Sequence, residues 1–326
     1  MSEHPYDRLT PDRVIDAIES TGRLSDARLL ALNSYENRVY QVGIEDESPI
    51  IAKFYRPERW SDDQILEEHA FSLELLAADI SVVAPLPDET GQTLHEFEGF
   101  RFALFPRRGG YPPELDNLDN LLVLGRTLGR IHGVGKAAPF RHRQQITVQR
   151  MVLESREFLL DGFIPGELEP AYESLTRDLA DTVTSIYADV APTDLIRIHG
   201  DCHVGNILWR DDTAHFVDLD DCCMAPAMQD LWMFLNGERH DRQLQLSELI
   251  EGYSEFCDFD LRQIRWIESL RTMRLIHYAA WLARRWQDPA FPRSFTWFNT
   301  ERYWADHILE LREQLAALQE EPLQLL

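Results

Sequence analysis

Two short segments of the sequence, 199–206 and 216–220, hold the residues whose types and spacing could carry chemistry. They read His-Gly-Asp-Cys-His-Val-Gly-Asn and Phe-Val-Asp-Leu-Asp. Phosphoryl transfer needs one carboxylate near the attacking hydroxyl, and oxygen ligands that hold Mg²⁺ against the phosphates of ATP. Asp201 lies five positions before Asn206, and Asp218 follows in a strand-like run. An isolated Asp or Asn in a loop usually serves turn chemistry. The compound pattern instead predicts Asp201 as catalytic base, and Asn206 and the catalytic Asp218 as magnesium ligands.

This compound pattern resembles the aminoglycoside-phosphotransferase and protein-kinase-like superfamily, which uses an HGDxxxxN loop and a later metal aspartate. The resemblance implies a lysine that reaches the α- and β-phosphates of ATP, and Lys53 lies within an apolar, strand-like run. Its partner would be a helical glutamate, for which Glu68 is favoured and Glu67 is the alternative. Leu-Phe-Pro at 104–106 falls at the implied hinge, so Phe105 is predicted to contact the adenine.

The segment 32–40, Leu-Asn-Ser-Tyr-Glu-Asn-Arg-Val-Tyr, lies where a phosphate-covering loop is expected. It lacks the GxGxxG pattern of protein kinases, but small polar residues can expose backbone N–H groups to phosphate, and Ser34 adds a hydroxyl. Glu36 would repel phosphate if it pointed inward, so we expect it to point outward or to pair with Arg38. A simple turn between a helix and a strand is the alternative.

Three further residues are predicted to support the catalytic loop. His199 opens the His-Gly-Asp motif, and His203 lies two positions after the base, where protein kinases often place a cation. A protonated His203 could neutralise the transferred phosphate, and packing alone is the alternative. Asp230 resembles the buried aspartate that accepts hydrogen bonds from the catalytic loop in the superfamily.

Local patterns predict the elements that position these residues. Thr10-Pro11-Asp12 starts a helix, and Ser61-Asp62-Asp63 caps another that runs to about Asp79. Strand-like runs cover 38–42, 50–55, 93–98, 100–105, 196–199 and 215–219, the last two separated by a polar loop, and helical spacing covers 118–132, 149–160, 169–187 and 261–286. The first strand is therefore expected at 38–42.

The order of these elements predicts an α+β, bilobal protein-kinase-like fold. A β-rich N-lobe would span 1–106 and contain the phosphate loop and the Lys/Glu pair. The Pro/Gly-rich stretch 107–113 reads as the hinge. A mainly helical C-lobe, 114–326, would contain the catalytic loop and the metal site.

Composition excludes several classes of partner. Lys plus Arg is 32 and Asp plus Glu is 56, which gives a net charge of −24. Such a surface repels phosphate backbones and anionic lipids, so we expect neither nucleic-acid nor membrane binding. The polar N-terminus lacks a signal-peptide layout, and the four cysteines form neither a disulfide framework nor a CxxC zinc pattern. A cytoplasmic protein is expected.

Longer matches point to a narrower family. The segments at 32–40, 53–60, 199–203 and 280–286 look like those of the bacterial stress response kinase A (YihE-type) proteins. This resemblance covers nearly the whole chain. It implies a monomeric, cytoplasmic, ATP-dependent serine/threonine protein kinase that takes part in stress survival and is itself a phosphoprotein.

The acceptor is the least determined part of the prediction. A Ser or Thr hydroxyl on a protein, including the chain itself, is favoured over a small alcohol such as an aminoglycoside, choline, homoserine or a fructosamine. A non-catalytic nucleotide-binding scaffold is disfavoured because no catalytic residue is missing. Arg274 and Arg285 share one helix face and could bind an acidic acceptor, although a solvated or salt-bridged face is the favoured reading. Only twelve steps separate Asp218 from Asp230, so no phosphorylated activation segment is expected.

Overall fold

The computed structural model describes residues 5–326. The predicted N-lobe and the predicted polar N-terminus both begin at residue 1, so their first four residues lie outside this range. The strands are β1 Ser25–Ala31, β2 Arg38–Ile44, β3 Ile50–Phe54, β4 His95–Phe97, β5 Phe100–Pro106, β6 Ile196–Ile198, β7 Ile207–Arg210, β8 Thr213–Phe216 and β9 Cys223–Ala225. The α-helices are α1 Pro11–Glu19, α2 Asp62–Ala77, α3 Leu118–Gly135, α4 Glu154–Leu160, α5 Glu169–Tyr187, α6 Met228–Leu231, α7 Arg239–Ser254, α8 Ile267–Arg284, α9 Ala290–Ser294 and α10 Glu301–Ala317. A π-helix, Gln149–Leu153, precedes α4, and 3₁₀ turns include Val204–Asn206, Leu219–Asp221 and Leu261–Trp266.

The chain forms two compact units that interleave in sequence. Unit 1 contains the residues up to Glu114 together with Phe140–Arg143 and Val204–Cys222, and unit 2 contains the rest. The metal-site segment therefore groups with the β-rich unit, whereas the sequence placed it in the C-lobe. The lobe boundaries 1–106, 107–113 and 114–326 stay a prediction. The α+β class, with a β-rich N-terminal part and a mainly helical remainder, is confirmed.

A five-stranded antiparallel sheet in the order β1-β2-β3-β5-β4 forms the frame of unit 1. Because side chains alternate across a strand, β3 and β5 present two different faces. Ala52, Phe54, Phe102 and Leu104 point into a core that α1 completes with Val14 and Ile18. The opposite face carries Lys53, whose register partner on β5 is Ala103.

The first strand of the sheet was wrongly placed in the sequence. β1 precedes the predicted strand at 38–42, so the 32–37 loop joins two antiparallel strands and not a helix and a strand. The sequence pattern of alternating side chains does not reveal β1, because its pairing with β2 shifts register between Ser25 and Leu29 and because Ala27 has a φ of 64°. This irregularity, a β-bulge, breaks the alternation that identifies a strand.

Both predicted helix starts of unit 1 are confirmed by their caps. The Thr10 hydroxyl accepts a hydrogen bond from the Arg13 N–H (3.4 Å) at the start of α1. Ser61 and Gln64 form a reciprocal capping box at the start of α2. Such caps satisfy N–H groups that a helix itself leaves without a partner, which is why they are readable from sequence.

A short hairpin, β7–β8, positions the metal segment of unit 1. The prediction of one polar loop between residues 199 and 215 is wrong, since Ile207–Arg210 forms β7. Trp209 on β7 exchanges backbone hydrogen bonds with Tyr111, and the Val83 N–H donates to the Phe216 carbonyl (2.9 Å) at the end of β8. These bonds hold the hairpin in unit 1, and Asp218 follows two residues after β8.

Unit 2 is built on closely packed helices. A methyl group added at Gly125 or Gly129 of α3 would lie only 2.2 Å from the Leu249 carbonyl oxygen or 2.4 Å from that of Tyr253, both on α7. Glycine therefore allows the two helix backbones to approach this closely. β6 and β9 pair antiparallel within this unit. Among residues 5–326, none of the helices has the length and apolar character required to cross a membrane.

Candidate active site

Lys53 lies at the centre of a cluster of carboxylates in unit 1. Its Nζ donates to Oδ1 of Asp218 at 2.9 Å and lies 2.9 Å from Oδ1 of Asp220. Oε1 of Glu68 on α2 is 3.7 Å from the same nitrogen. The Lys53 side chain is 8% exposed. Burial alone would lower its pKa, but the three carboxylates together raise it well above its usual value. Lys53 is therefore a fixed cation.

The structure distinguishes the two glutamates that the sequence left open. Glu68 is buried beside Lys53. Glu67 instead accepts hydrogen bonds from the backbone N–H groups of Arg141, His142 and Arg143, at 2.5, 2.8 and 2.8 Å. Successive residues on a helix face different directions, so only one of the two can face the sheet.

Asp220 is a part of the site that sequence reasoning missed. Asp220 is 3% exposed and bonded on several sides, so it is not a solvated loop charge. Its carboxylate forms ion pairs with the Lys53 ammonium and the Arg59 guanidinium, and accepts a hydrogen bond from the Asn37 side-chain amide (3.3 Å). These cations hold its pKa well below the usual range, although burial acts in the opposite direction. The partners come from distant parts of the sequence.

Two arginines fix the chain that follows Asp218. Besides Asp220, Arg59 binds the Asp221 carboxylate at 2.6 Å. Arg143 donates to the backbone carbonyls of Asp220 and Cys222, the latter at 2.9 Å. Both guanidinium groups lie over the Trp60 ring, at 4.9 and 4.2 Å from its centroid. The segment after Asp218 is thus held in place by the permanent positive charges of Arg59 and Arg143.

Asn206 and Asp218 offer the oxygen atoms that the sequence assigned to magnesium. The Val217 N–H donates to the Asn206 carbonyl (3.0 Å), which brings the residue before Asp218 against Asn206. Asp218 has a φ of 58° and a side chain that is 53% exposed. Mg²⁺ prefers hard oxygen ligands and keeps several waters, so one carboxylate and one amide fit it. Within residues 5–326, no group of three or more His, Cys, Asp or Glu side chains is arranged to hold a metal.

The 32–37 loop connects β1 to β2. The Ser34 hydroxyl donates to the Asn37 carbonyl at 3.0 Å and so closes the turn. Glu36 does not point outward: its side chain is 11% exposed and lies 3.6 Å from Arg56 and 3.9 Å from Arg59. The cations contributed by the segment after β3 make its burial tolerable.

Phe105 lies on β5, two residues after Ala103 on the Lys53 face of the sheet. It is partly buried against the cluster that contains Tyr55, Trp60 and Ile65. The His69 ring meets it edge-on at 6.4 Å. The structure gives it an apolar environment on the same sheet face as Lys53.

In unit 2, Asp201 is held between two basic side chains. Oδ1 lies 2.7 Å from a guanidinium nitrogen of Arg274 on α8, and Oδ2 lies 3.5 Å from Nε2 of His203. Burial would raise the pKa of Asp201, but the His203 hydrogen bond and the Arg274 charge hold it well below its usual range. Its side chain is 26% exposed. Asp201 is thus an ionised and accessible carboxylate. Arg274 was not predicted as its partner.

Asp230 braces the loop that carries Asp201. It accepts the backbone N–H groups of His199 (2.7 Å) and Gly200 (2.9 Å), and His132 Nε2 lies 3.0 Å from its Oδ2. Asp230, His132 and His199 are all buried. Gly200 has a φ of 88°, a conformation that favours glycine. This arrangement orients the backbone just before Asp201.

Comparison with known proteins identifies the family of the chain. Residues 28–267 match the model of the phosphotransferase enzyme family. Stress response kinase A of Escherichia coli (strain K12) is 47% identical over 325 residues, which cover 99% of this chain and 98% of that protein. The chain belongs to the stress response kinase A family of phosphotransferases. A further relative, serine/threonine protein kinase RdoA of Salmonella typhimurium (strain LT2), is 46% identical over 98% of the chain and 97% of its own length.

Solved structures of the same fold include two small-molecule kinases. Amicoumacin kinase hAmiN, in complex with AMP-PNP and Ca²⁺, superposes with a TM-score of 0.74 at 18% identity, over 98% of this chain and 95% of its own. A microcompartment-associated aminopropanol kinase gives 0.72 at 18% identity, over 96% and 99%. At this identity the likeness shows the fold alone. Family membership identifies the chain as a phosphotransferase with an alcohol group as acceptor.

Proposed function

We propose that the chain is an ATP-dependent serine/threonine protein kinase that also phosphorylates itself. The observation that carries this proposal is Lys53, a buried cation held by Glu68, Asp218 and Asp220 in unit 1. A lysine fixed in this way, beside a half-exposed carboxylate, suits the phosphates of a nucleotide. The names of the relatives, stress response kinase A and serine/threonine protein kinase RdoA, support the choice of acceptor.

In this mechanism unit 1 provides the nucleotide side. Lys53 binds the α- and β-phosphates of ATP, and Ser34 with the 32–37 loop covers them. Asn206 and Asp218 would hold Mg²⁺, which when bound supplies charge neutralisation at the phosphate oxygens. The apolar surroundings of Phe105 suit a stacked adenine.

Asp201 acts on the acceptor hydroxyl. The hydroxyl oxygen forms a bond to the γ-phosphorus while the bond from that phosphorus to the β-bridging oxygen breaks, and ADP leaves. The hydroxyl proton passes to the Asp201 carboxylate. A carboxylate with a low pKa is a weak base, so its main contribution is to orient the hydroxyl until its proton becomes acidic late in the transfer. His203, 3.5 Å away, is placed to assist when protonated.

The proposal includes no phosphorylated activation switch. Arg59 and Arg143 already hold residues 220–222, the segment that such a phosphate would have to order. Mapping phosphosites on fully active protein tests this point: a phosphate between Asp218 and Asp230 that activity requires would contradict it. We further propose a monomer that works in the cytoplasm, in keeping with cysteines that are all buried, and a role in stress survival like that in the name of its relatives.

The experiment is a magnesium and radiolabelled-ATP assay on the purified chain, alone and with one generic acidic and one generic basic protein. Asp201→Asn serves as the matched control, since it keeps the shape of the side chain. Label on serine or threonine that is lost in the variant is the expected result. Nucleotide binding without label on any protein would favour a small-alcohol kinase and contradict the proposal.

A further inference from the structure

The loop that is proposed to cover the phosphates, residues 32–37, contains no glycine. It therefore lacks the backbone freedom that glycine would give it. The loop is closed by hydrogen bonds of its own, since the Leu32 N–H donates to the Val39 carbonyl at 2.8 Å and the Ser34 hydroxyl donates to the Asn37 carbonyl at 3.0 Å. These bonds lie within the protein and do not require a nucleotide.

Asn37, at the end of this loop, is bonded to two other segments of unit 1. Its side-chain Oδ1 accepts the Arg56 backbone N–H at 3.0 Å, and its Nδ2 donates to Oδ2 of Asp220 at 3.3 Å. An amide can accept from an N–H group and donate to a carboxylate at the same time. Asn37 is 4% exposed, so both bonds are shielded from water. It thus joins the loop to the segment after β3 and to the acidic segment 218–221.

Ion pairs connect the same three segments beside Asn37. The Glu36 carboxylate of the loop lies 3.6 Å from Arg56 and 3.9 Å from Arg59. Arg59 also pairs with the carboxylates of Asp220 and Asp221. Separating buried charges is costly, because each one is left without compensation. Arg59 therefore holds the loop and the acidic segment together from the segment after β3.

The Asp220 carboxylate is the point where the loop meets the proposed phosphate-binding lysine. Its Oδ1 lies 2.9 Å from Nζ of Lys53, while its Oδ2 accepts the Asn37 amide. The side chains of Lys53 and Asp220 are 8 and 4% exposed. A displacement of Asn37 would therefore disturb the carboxylate that holds Lys53. The positions of the loop and of the lysine are coupled through one buried group.

We propose that Asn37 is a positioning residue for nucleotide binding, which through Asp220 fixes the phosphate-covering loop and Lys53 relative to each other before ATP binds. The inference rests on the proposed function, since it takes Lys53 and the loop as the phosphate site. A preorganised site binds more tightly because less ordering free energy is spent on binding. Loss of the Asn37 amide should therefore weaken ATP binding more than it slows phosphoryl transfer.

The first test compares steady-state constants of two Asn37 variants of the full chain. Asn37→Asp keeps the shape and the Oδ1 acceptor but places a second carboxylate against Asp220, and Asn37→Ser removes the amide. We expect the KM for ATP to rise about 10-fold, the equivalent of one lost hydrogen bond, while kcat stays within about threefold and the KM for the acceptor is unchanged. A purely structural defect would instead reduce the active fraction, and so kcat. Asn117→Asp is the matched control at the exposed N-cap of α3, where a carboxylate can still accept the helix N–H, and it should change none of the three constants.

The second test uses the wild type itself and does not depend on the folding of a variant. Chymotrypsin cleavage after Tyr35 measures how often the loop opens. AMP-PNP with Mg²⁺ should change this rate in the wild type by less than about threefold, whereas Asn37→Ser without nucleotide should be cleaved at least about 10-fold faster. Rapid cleavage of the wild type that the nucleotide suppresses, or an unchanged KM for ATP in both variants, would overturn the inference while the kinase assignment stands. Failure of the wild type to bind ATP would overturn both.

Discussion

Two carboxylates, Asp220 in unit 1 and Asp201 in unit 2, occupy very different surroundings. In unit 1, Asp220 and its partners Lys53 and Arg59 are 4, 8 and 11% exposed. In unit 2, Asp201 and Arg274 are 26 and 34% exposed. A buried charge that loses its partner is strongly destabilising, whereas a partly exposed pair contributes little to stability. The proposed nucleotide side is thus fixed by buried charges, whereas the ion pair on the proposed acceptor side is partly exposed.

The largest effect is expected from breaking the buried cluster. Asp220→Asn leaves Lys53 and Arg59 with too little negative charge, and should lower the free energy of unfolding by about 3–5 kcal/mol. Asp221→Asn is the matched control, because the Asp221 side chain also binds Arg59 but is 44% exposed. It should cost less than about 1 kcal/mol. Chemical denaturation of both variants makes the comparison; similar losses would mean that burial does not distinguish the two residues.

Changing Asp218 should separate activity from stability. Asp218→Asn removes a proposed metal ligand and should reduce phosphoryl transfer by about 10²-fold or more. Because the Asp218 side chain is 53% exposed, the thermal unfolding midpoint of this variant should stay close to that of the wild type. Asp212→Asn, on the exposed turn after β7, provides the control with the same chemical change. A full loss of folding in Asp218→Asn, or full activity, would contradict its assignment.

The two neighbouring glutamates of α2 should respond to pH in opposite directions. Burial raises the pKa of Glu68 from 4.5 to about 7 even though Lys53 opposes it. The folded chain then holds this proton more tightly than the unfolded chain, so its contribution is complete below pH 4.5 and is lost as pH rises through about 7. Relative to Glu68→Gln, the wild type should lose about 1–3 kcal/mol between pH 5 and 8.

Glu67 supplies the control for that experiment. Its pKa is lowered, since three backbone hydrogen bonds outweigh the effect of its partial burial. Its contribution is present above the unfolded pKa and is lost as pH falls, so Glu67→Gln should remove stability at neutral pH and less at acid pH. Denaturant titrations across pH would contradict the assignment if both variants shifted in the same direction.

The smallest expected effect concerns Arg274 and the acid limb of the rate profile. Arg274 helps to hold the pKa of Asp201 below its usual range. Arg274→Gln should therefore move the acid limb of kcat/KM to higher pH by up to about one unit, as expected for a partly exposed pair. The pH dependence of kcat/KM for a neutral peptide checks this. An unchanged limb would mean that Asp201 does not titrate in the rate-determining step.

Sequence reasoning succeeded where the determining interactions are local. Thr10 and Ser61 cap their helices within three residues, and Glu169–Tyr187 forms a helix over the predicted range. Most strands that follow regular alternation were also found, with ends shifted by one or two residues at β2, β3 and β4. The strand predicted at 215–219 was placed too late, since β8 spans Thr213–Phe216 and ends before Asp218. Helix caps and strand alternation depend on residues that are close together in the chain, so a single sequence is enough to predict them.

It failed where partners are far apart in the chain. Arg59 reaches Asp220 from 161 positions away, and Arg143 reaches Cys222 from 79. In the sequence, Asp220 is simply an acidic residue beside Asp221, which is typical of a solvated loop. Glu36 is buried beside Arg56 and Arg59, so its outward orientation was wrongly predicted for the same reason. Ion pairs between segments that are distant in sequence can be identified only once the fold is known.

The most direct test measures nucleotide binding and phosphoryl transfer in the same preparations of wild type and Asp201→Asn. The mechanism assigns ATP to residues of unit 1 and the acceptor hydroxyl to Asp201 of unit 2. It predicts that the variant retains ATP affinity within about threefold while single-turnover transfer to Ser or Thr falls by about 10²-fold or more. Transfer at the wild-type rate, or loss of ATP affinity in parallel with transfer, would contradict the assignment of Asp201 as the base.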